Sequence, residues 1–275
     1  MSRSADLVYA NRRWVYPLTI PTNIKLFGLV DTIYNPQTTG EQLHKGGVTC
    51  HLVEDLAGSC GFTVTVRQPR LYPSPDLIEK TRTTYGLDSN TTGQALLIGI
   101  NPGPSWRVKE WEASNWQKLI NNIHSEYDAV IIQFGIKKGD GSSEYDNLTG
   151  VTSLAGRLNG EGIVALIAIC DLLITIDSGP VHVAGAVSTP VIGLFGPLDP
   201  ALVLPPDSPA PVLGLFSDVP CLFCHHRTPV IHWESDCPNN IACMKNLGCQ
   251  TVFEAVKSML AHRFRSHRRL NACQE

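Results

Sequence analysis

From residue 95 onward the apolar residues fall into two alternating patterns. Runs of strand length are apolar at nearly every position: Ala95 to Ile100, Tyr127 to Phe134, Leu172 to Ile176 and Val191 to Phe195. Between them lie segments with apolar residues at helical spacing. Trp111 to Ile123 carries Trp116, Leu119, Ile120 and Ile123 on one face, and Gly162 to Ala168, Pro180 to Val187 and Val252 to Phe264 read as further helices. Strands with no polar face, alternating with helices, predict a parallel sheet covered on both sides. The expected fold class is therefore α/β with a parallel sheet.

The first 92 residues are less regular. Ile24 to Val30 and Phe62 to Val66 read as strands, and His51 to Ser59 and Pro75 to Tyr85 as helices. The polar stretch Gly86 to Gly93 is rich in turn formers and reads as a linker. The pattern thus divides the chain into an N-terminal part, 1–92, a regular part, 93–262, and a basic tail, 263–275, read as a solvated helix end.

Composition narrows the classes. With 43% hydrophobic and 17% charged residues over 275 positions, a sizeable core is expected and disorder is not. A net charge of -3 gives no electrostatic reason to expect a nucleic-acid partner. No apolar run reaches the length of a membrane span. Met1 to Tyr9 lacks a basic-then-apolar leader pattern, so a cytoplasmic protein is expected.

The candidate chemistry sits where strands end. After Ile176, the residues Asp177, Ser178 and Gly179 form a tight turn, and Pro180 suits the first turn of a helix. Asp177 or Ser178 can cap that helix. Such a turn lies at the carboxyl edge of a parallel sheet, where free N–H groups and the helix dipole attract phosphate. Gly179 allows close backbone approach, and His182 follows in the first helical turn. A capped helix carrying a partly buried histidine would use the same residues. A second turn, Asn101-Pro102-Gly103-Pro104-Ser105, is followed by Arg107 and Lys109, cations suited to a diphosphate or simply solvated. A third is Phe195-Gly196-Pro197-Leu198-Asp199-Pro200. Three such turns on one sheet edge favour a shared ligand crevice.

Asp-Ser-Gly-Pro-x-His-x-Ala at 177–184, followed by Pro190 to Pro197, resembles glycosyltransferase family 9, the heptosyltransferase family. Upstream, Gly99 to Gly103 with Lys109 and Trp111 resembles the family's first phosphate turn. Gln133-Phe134-Gly135 resembles its second strand end. The resemblance covers about residues 50 to 262. It implies a GT-B-type fold of two Rossmann-like domains, with a sugar, most readily heptose from ADP-heptose, transferred with inversion to a glycan or protein acceptor, as in lipopolysaccharide biosynthesis. No metal is required for that catalysis. It further implies that Lys109 neutralises the donor diphosphate and that Asn101, Gly103, Ser105, Gln133, Gly135, Asp177, Ser178, Gly179, Pro180, His182 and Gly196 line the donor site, with Glu144 on the ribose. The family's N-terminal domain opens with a strand and a Gly-Asp loop bearing an acidic general base. Met1 to Gly93 resembles only the later part of that domain, so a shortened, incomplete N-terminal domain is expected. No catalytic residue is singled out, although Asp31 and Glu54 are acidic residues in that half. An exposed apolar surface there would favour a homo-oligomer. A nucleotide-sugar-binding remnant without activity is the alternative.

The cysteines form a separate signal. Cys221, Cys224, Cys237 and Cys243 have the spacing Cys-x2-Cys-x12-Cys-x5-Cys, and four thiolates suit tetrahedral Zn or Fe. His225, His226, His232 and Cys249 are spare ligands. Cys50, Cys60, Cys170 and Cys273 are scattered. The pairs Cys237-Pro238 and Cys243-Met244 are similar to the family's Cys-rich loop, in which some autotransporter heptosyltransferases bind iron. A metal in the loop 221–249 would be structural, pinning a segment with little core of its own. Free thiols packed in the loop, or a zinc-ribbon interaction module, would show the same spacing.

Overall fold

The central strand sends alternate side chains to opposite layers, and this sets the architecture. Leu96, Ile98 and Ile100 join one apolar cluster while Leu97 joins the other. Leu172, Ile174 and Ile176 go with the first, and Leu173 with the second. A strand buried on both faces can afford no polar side, which is why these runs read as continuously apolar.

The computed structural model describes residues 7–9, 25–27, a scatter of positions between 51 and 67, and then 69–87, 95–137, 143–226 and 236–271. The elements are β1 (Leu7–Tyr9), β2 (Lys25–Phe27), α1 (Pro75–Tyr85), β3 (Leu96–Asn101), α2 (Ala113–Glu126), β4 (Ala129–Gln133), β5 (Thr152–Ser153), α3 (Gly160–Ile169), β6 (Leu172–Ile176), α4 (Gly179–Val187), β7 (Val191–Leu194), α5 (Pro200–Val203), β8 (Val212–Leu215), α6 (Ala242–Lys245) and α7 (Cys249–Asn271). Short 3-10 turns cover Arg107–Lys109, Glu144–Asn147 and Cys224–His226. β1 and β2 pair in parallel. Asp31, Cys50, Cys60, His232, Cys273 and the linker positions 88–93 lie outside the described residues.

The other six strands form one parallel sheet in the order β5-β4-β3-β6-β7-β8. The chain starts in the middle at β3, steps outward through β4 and β5, then returns to β6 and steps outward the other way. This is the doubly wound order, and its switch point falls between β3 and β6. The two strands are in register, Asn101 facing Thr175 at their carboxyl ends.

α2 and α7 pack together over one face, with Trp116, Leu119, Ile120, Ile123, Val252, Val256 and Leu260 in the same cluster. α3 covers the other face, flanked by α1 and α4. Gly99 lies on that face: a Cβ there would stand 3.1 Å from the Cys170 sulfur. α1 has the predicted bounds, with the Ser74 side chain accepting from the Leu77 N–H at its start and Gly86 in the left-handed region at its end. Leu87 is 2% exposed and belongs to the second cluster, so the expected linker begins as docked chain. β5 and β8 were not expected. β5 has two residues, too few for a pattern, and β8 sits among prolines that mask its run.

Val53, Glu54 and Ala57 are helical, within the predicted helix 51–59, while the described positions Thr63, Val64 and Thr65 of the predicted strand 62–66 are not extended strand. His51, Arg67 and Leu71 bond to segments flanking β7 and β8. Leu71 donates its N–H to the Ala186 carbonyl (3.0 Å). Arg67 meets Asp207 through two bonds of 3.0 and 3.2 Å.

Candidate functional site

The two turns at the switch point are tied to each other by buried polar groups. Asn101, 6% exposed, ends β3 and donates through Nδ2 to Thr175 Oγ1 (3.1 Å) and Ser178 Oγ (3.0 Å). The first turn is thereby fixed to the second. Gly135, at the end of β4, backs Asn101 closely. Its φ is +135°, and a Cβ there would stand 2.7 Å from Asn101 Oδ1. Only glycine suits both conditions.

The loop after β3 bends through Gly103 (φ +128°) into the 3-10 turn Arg107–Lys109. Glu110, to which no sequence motif points, holds that bend. Its Oε1 accepts from the Ser105 N–H (2.7 Å) and its Oε2 from Arg107 Nη1 (3.1 Å). The Ser105 N–H therefore serves the loop itself. Arg107 also reaches Glu144 Oε1 at 2.7 Å. Two carboxylates thus share the Arg107 guanidinium, while Lys109 turns inward.

Lys109 Nζ lies 2.8 Å from Asp177 Oδ2, and both side chains are almost wholly buried. The approach is close but not aligned as a hydrogen bond, so charge holds the pair and Asp177 Oδ2 has no directional partner among the described residues. Nζ also stands 4.5 Å from the centre of the Trp106 ring. Taking either charge away would strand the other in a dry site.

α4 begins beside this pair. Ser178 is its first flanking residue, yet Ser178 Oγ makes no cap and donates instead to the Ile176 carbonyl (3.2 Å). The expected side-chain cap is thus corrected: Asn101 and Thr175 claim the hydroxyl's surroundings, and the helix N-terminus has no side-chain acceptor from Ser178. Pro180, in the first turn, has no N–H to satisfy. Gly179 faces open space, with nothing within 4 Å of where a Cβ would stand. The His182 ring is solvent-exposed near the start of α4. Crowding by the surrounding protein holds its pKa below 6.5; Asp177 pulls it up, and His51 and Lys109 push it down. His51 is a second residue the sequence did not single out for this site. Its ring is buried, bonded to the Leu204 carbonyl (2.7 Å) and accepting from the Val53 N–H (3.2 Å).

Three residues of the family-like motifs are turned to other uses. Gln133, expected to line the donor site, is 2% exposed and donates to the Tyr145 carbonyl (2.9 Å), anchoring the turn that carries Glu144. Trp111 is core, edge-on to Trp116 and donating to the Leu247 carbonyl (2.8 Å). Gly196, also expected at the donor, packs under the Cys-rich loop: a Cβ there would meet Cys243 Sγ and Met244 Sδ at 2.8 Å. Its carbonyl accepts from the Phe223 N–H (3.1 Å), and that of Pro197 from His225 (3.0 Å).

The four cysteines gather at this third turn. Burial first, then Cys224, Cys221 and Cys237, push the Cys243 thiol up to about 11. Burial, Cys237 and Cys221 raise Cys224 likewise. The Ile241 N–H points at Cys237 Sγ (3.4 Å). Phe223, Asn240 and Ile241 have positive φ, a costly conformation for buried, β-branched Ile241. The four form no disulfide, however, and among the described residues no group of three or more His, Cys, Asp or Glu side chains is arranged to hold a metal ion. The expected ligand set is close together without forming a coordination sphere. Among the described residues no helix is long and apolar enough to cross a membrane.

A doubly wound parallel sheet with two polar turns meeting at its switch point, beside a buried lysine, defines an α/β protein of the open-sheet class. The chain belongs to glycosyltransferase family 9 (heptosyltransferase), whose model matches residues 53–231. It is similar to lipooligosaccharide heptosyltransferase 2 of Campylobacter jejuni, 28% identical over 172 residues that make up 60% of this chain and 51% of the relative. Lipopolysaccharide heptosyltransferase 3 of Escherichia coli is 33% identical over 118 residues, 41% of this chain and 34% of the relative. The chain spans about half the length of such relatives. Among solved structures it is similar to E. coli ADP-heptose lps heptosyltransferase II, with a TM-score of 0.52, 22% identity, and coverage of 71% of this chain and 54% of that one. The iron-containing dodecameric glycosyltransferase TibC of enterotoxigenic E. coli gives a TM-score of 0.51 at 16% identity, over 77% of this chain and 55% of that one. These likenesses show the fold, α/β of the GT-B type.

Proposed function

We propose that this chain holds the diphosphate of a nucleotide-sugar at the switch point and serves transfer of the sugar, heptose from ADP-heptose, to a glycan or protein acceptor with inversion. The observation that carries the reading is the buried Lys109–Asp177 pair, set between two turns and beside an uncapped helix start. A bound diphosphate would take over part of Lys109's charge and accept from the first N–H groups of α4. His182, neutral at pH 7, would donate from its ring. As the sugar–phosphate bond breaks, negative charge grows on the departing nucleotide, and donors already aimed there stabilise it more than they stabilise the ground state. Asn101, Gly135 and Ser178 keep the turns in place, and Glu144 accepts from the ribose hydroxyls. No metal enters this scheme.

Residues 93–262 form the donor half in this proposal, residues 1–92 belong to the acceptor side, and the protein works in the cytoplasm, free or as a homo-oligomer. The experiment is transfer or hydrolysis of ADP-heptose, compared with UDP-sugars. Turnover of ADP-heptose supports the reading; binding with no turnover of any donor replaces it with the second one, a nucleotide-sugar-binding remnant. That second reading is favoured by Glu54, an acidic residue of the N-terminal part, being engaged by Arg67 (3.2 Å).

We further propose that Cys221, Cys224, Cys237 and Cys243 close around one structural Zn or Fe. The donor set is chemically right, and the strained backbone at Ile241 beside an N–H···S contact supports it. Elemental analysis of the purified protein decides: about one metal per chain supports the site, and none removes it.

A further inference from the structure

The charges at the crevice rim form a chain that the diphosphate reading leaves unused. Arg107 Nη1 is shared between Glu110 Oε2 (3.1 Å) and Glu144 Oε1 (2.7 Å). Glu110, its side chain 8% exposed, is itself fixed by the Ser105 N–H. The guanidinium is thus anchored on the first turn and reaches across to the turn after β4. That turn is placed with equal care. Gln133 holds the Tyr145 carbonyl, the Tyr145 hydroxyl donates to the Trp111 carbonyl (3.0 Å), and Ser143 accepts from the Tyr145 N–H (3.4 Å). Glu144 itself is 45% exposed at its side chain, free to swing into water but for Arg107.

In doubly wound sheets the phosphate turn follows the first strand, and an acidic side chain beyond the second strand reads the ribose hydroxyls. β3 and β4 hold those two places here, and Glu144 lies beyond β4. We propose that Arg107 is the positioning residue for ribose recognition: it holds the Glu144 carboxylate at the rim of the first turn, so that it accepts from the vicinal hydroxyls of the nucleotide. This rests on the donor-site reading and assigns Arg107 a task other than phosphate contact. Its Nη1 is already occupied by two carboxylates, and the crevice's inward cation is Lys109.

Affinities of ADP, 2′-deoxy-ADP and inorganic pyrophosphate, with the UDP pair in parallel, separate the possibilities in the wild type, Arg107→Met, Arg107→Lys and Glu144→Gln. The wild type is expected to prefer the ribonucleotide by roughly tenfold, as befits a hydrogen bond to a charged acceptor. Arg107→Met and Glu144→Gln should erase most of that preference and leave pyrophosphate affinity unchanged, while Arg107→Lys restores part of it. The pair is exposed enough that its loss should leave the fold intact, which a thermal melt checks. Equal weakening of ribo- and deoxynucleotide and of pyrophosphate in Arg107→Met would show a phosphate contact and overturn the proposal. So would an unchanged ribose preference, or a wild type that binds pyrophosphate with no such preference, both of which spare the donor-site reading. A wild type that binds no nucleotide and no pyrophosphate ends both.

Discussion

Two Gly-Pro pairs follow adjacent strands of the same sheet and serve opposite ends. Gly179-Pro180 follows β6 and faces empty space, with no atom within 4 Å of a Cβ position. Gly196-Pro197 follows β7 and lies pressed against sulfur, its Cβ position 2.8 Å from Cys243 and Met244. The first turn is organised by polar groups that leave a gap: Asn101, Thr175, Ser178, Lys109 and Asp177 fix one another around it. The second is closed by packing and by backbone bonds from Phe223 and His225. A gap held open by polar groups that fix one another is what a ligand site needs, whereas a glycine needed for contact between chain segments supports structure. Sequence shows the glycine in both cases and the purpose in neither.

Replacement of Lys109 should have the largest effect on this contrast. Lys109→Met leaves a buried carboxylate unpaired and should lower stability by about 3–5 kcal/mol in urea denaturation. Adding Asp177→Asn should recover at least half of that; a double variant no better than the single one would show that the pair is not what holds the turns. Next come the glycines. Gly196→Ala should destabilise by about 1–3 kcal/mol through overpacking against the loop. Gly179→Ala, in open space, should be neutral or stabilise by up to about 1 kcal/mol, yet weaken ADP binding by crowding the backbone. If both substitutions damage stability alike, the two turns are not different in kind. Smaller again is the response to chelation. A metal in the Cys loop would brace the Gly196 turn, so metal removal should lower Tm by several degrees while nucleotide still binds.

The smallest effect is on pH dependence. In the free protein His182 sits below 6.5 because of its crowded surround and then His51 and Lys109, against the pull of Asp177. It is neutral at pH 7. A bound diphosphate favours imidazolium and raises that pKa, so binding takes up a proton. ADP affinity should therefore rise as pH falls from 6.5 toward the free-protein value. The rise is about tenfold at most where the phosphate lifts the ring's pKa by about one pH unit. His182→Gln should flatten it; an identical profile in both proteins would remove His182 from the phosphate.

Regular periodicity made the sheet legible. Trp116, Leu119, Ile120 and Ile123, picked by helical spacing, are all fully buried, and β6 has the bounds its apolar run suggests. The placing of Asn101, Asp177 and Lys109 at one edge was legible too, because strand-turn-helix order dictates it. What sequence could not show is contact between distant segments. Glu110 is indistinguishable from a solvated charge until the loop folds over it, and His51 reaches the crevice only by docking on Leu204. Thr175 carried a usable sign, the single polar residue inside an apolar strand. Gln133 and Gly196 matched family motifs but face inward, since a motif fixes position along the chain and not the direction of a side chain.

The central claim is that the turn from Asp177 to His182 binds a nucleotide diphosphate. Calorimetric titration of ADP into the wild type, Gly179→Ala and His182→Ala tests it most directly. The account predicts saturable binding to the wild type, weaker binding to both variants, and no loss of thermal stability in Gly179→Ala. No binding to the wild type, or equal affinity in all three proteins, would contradict it.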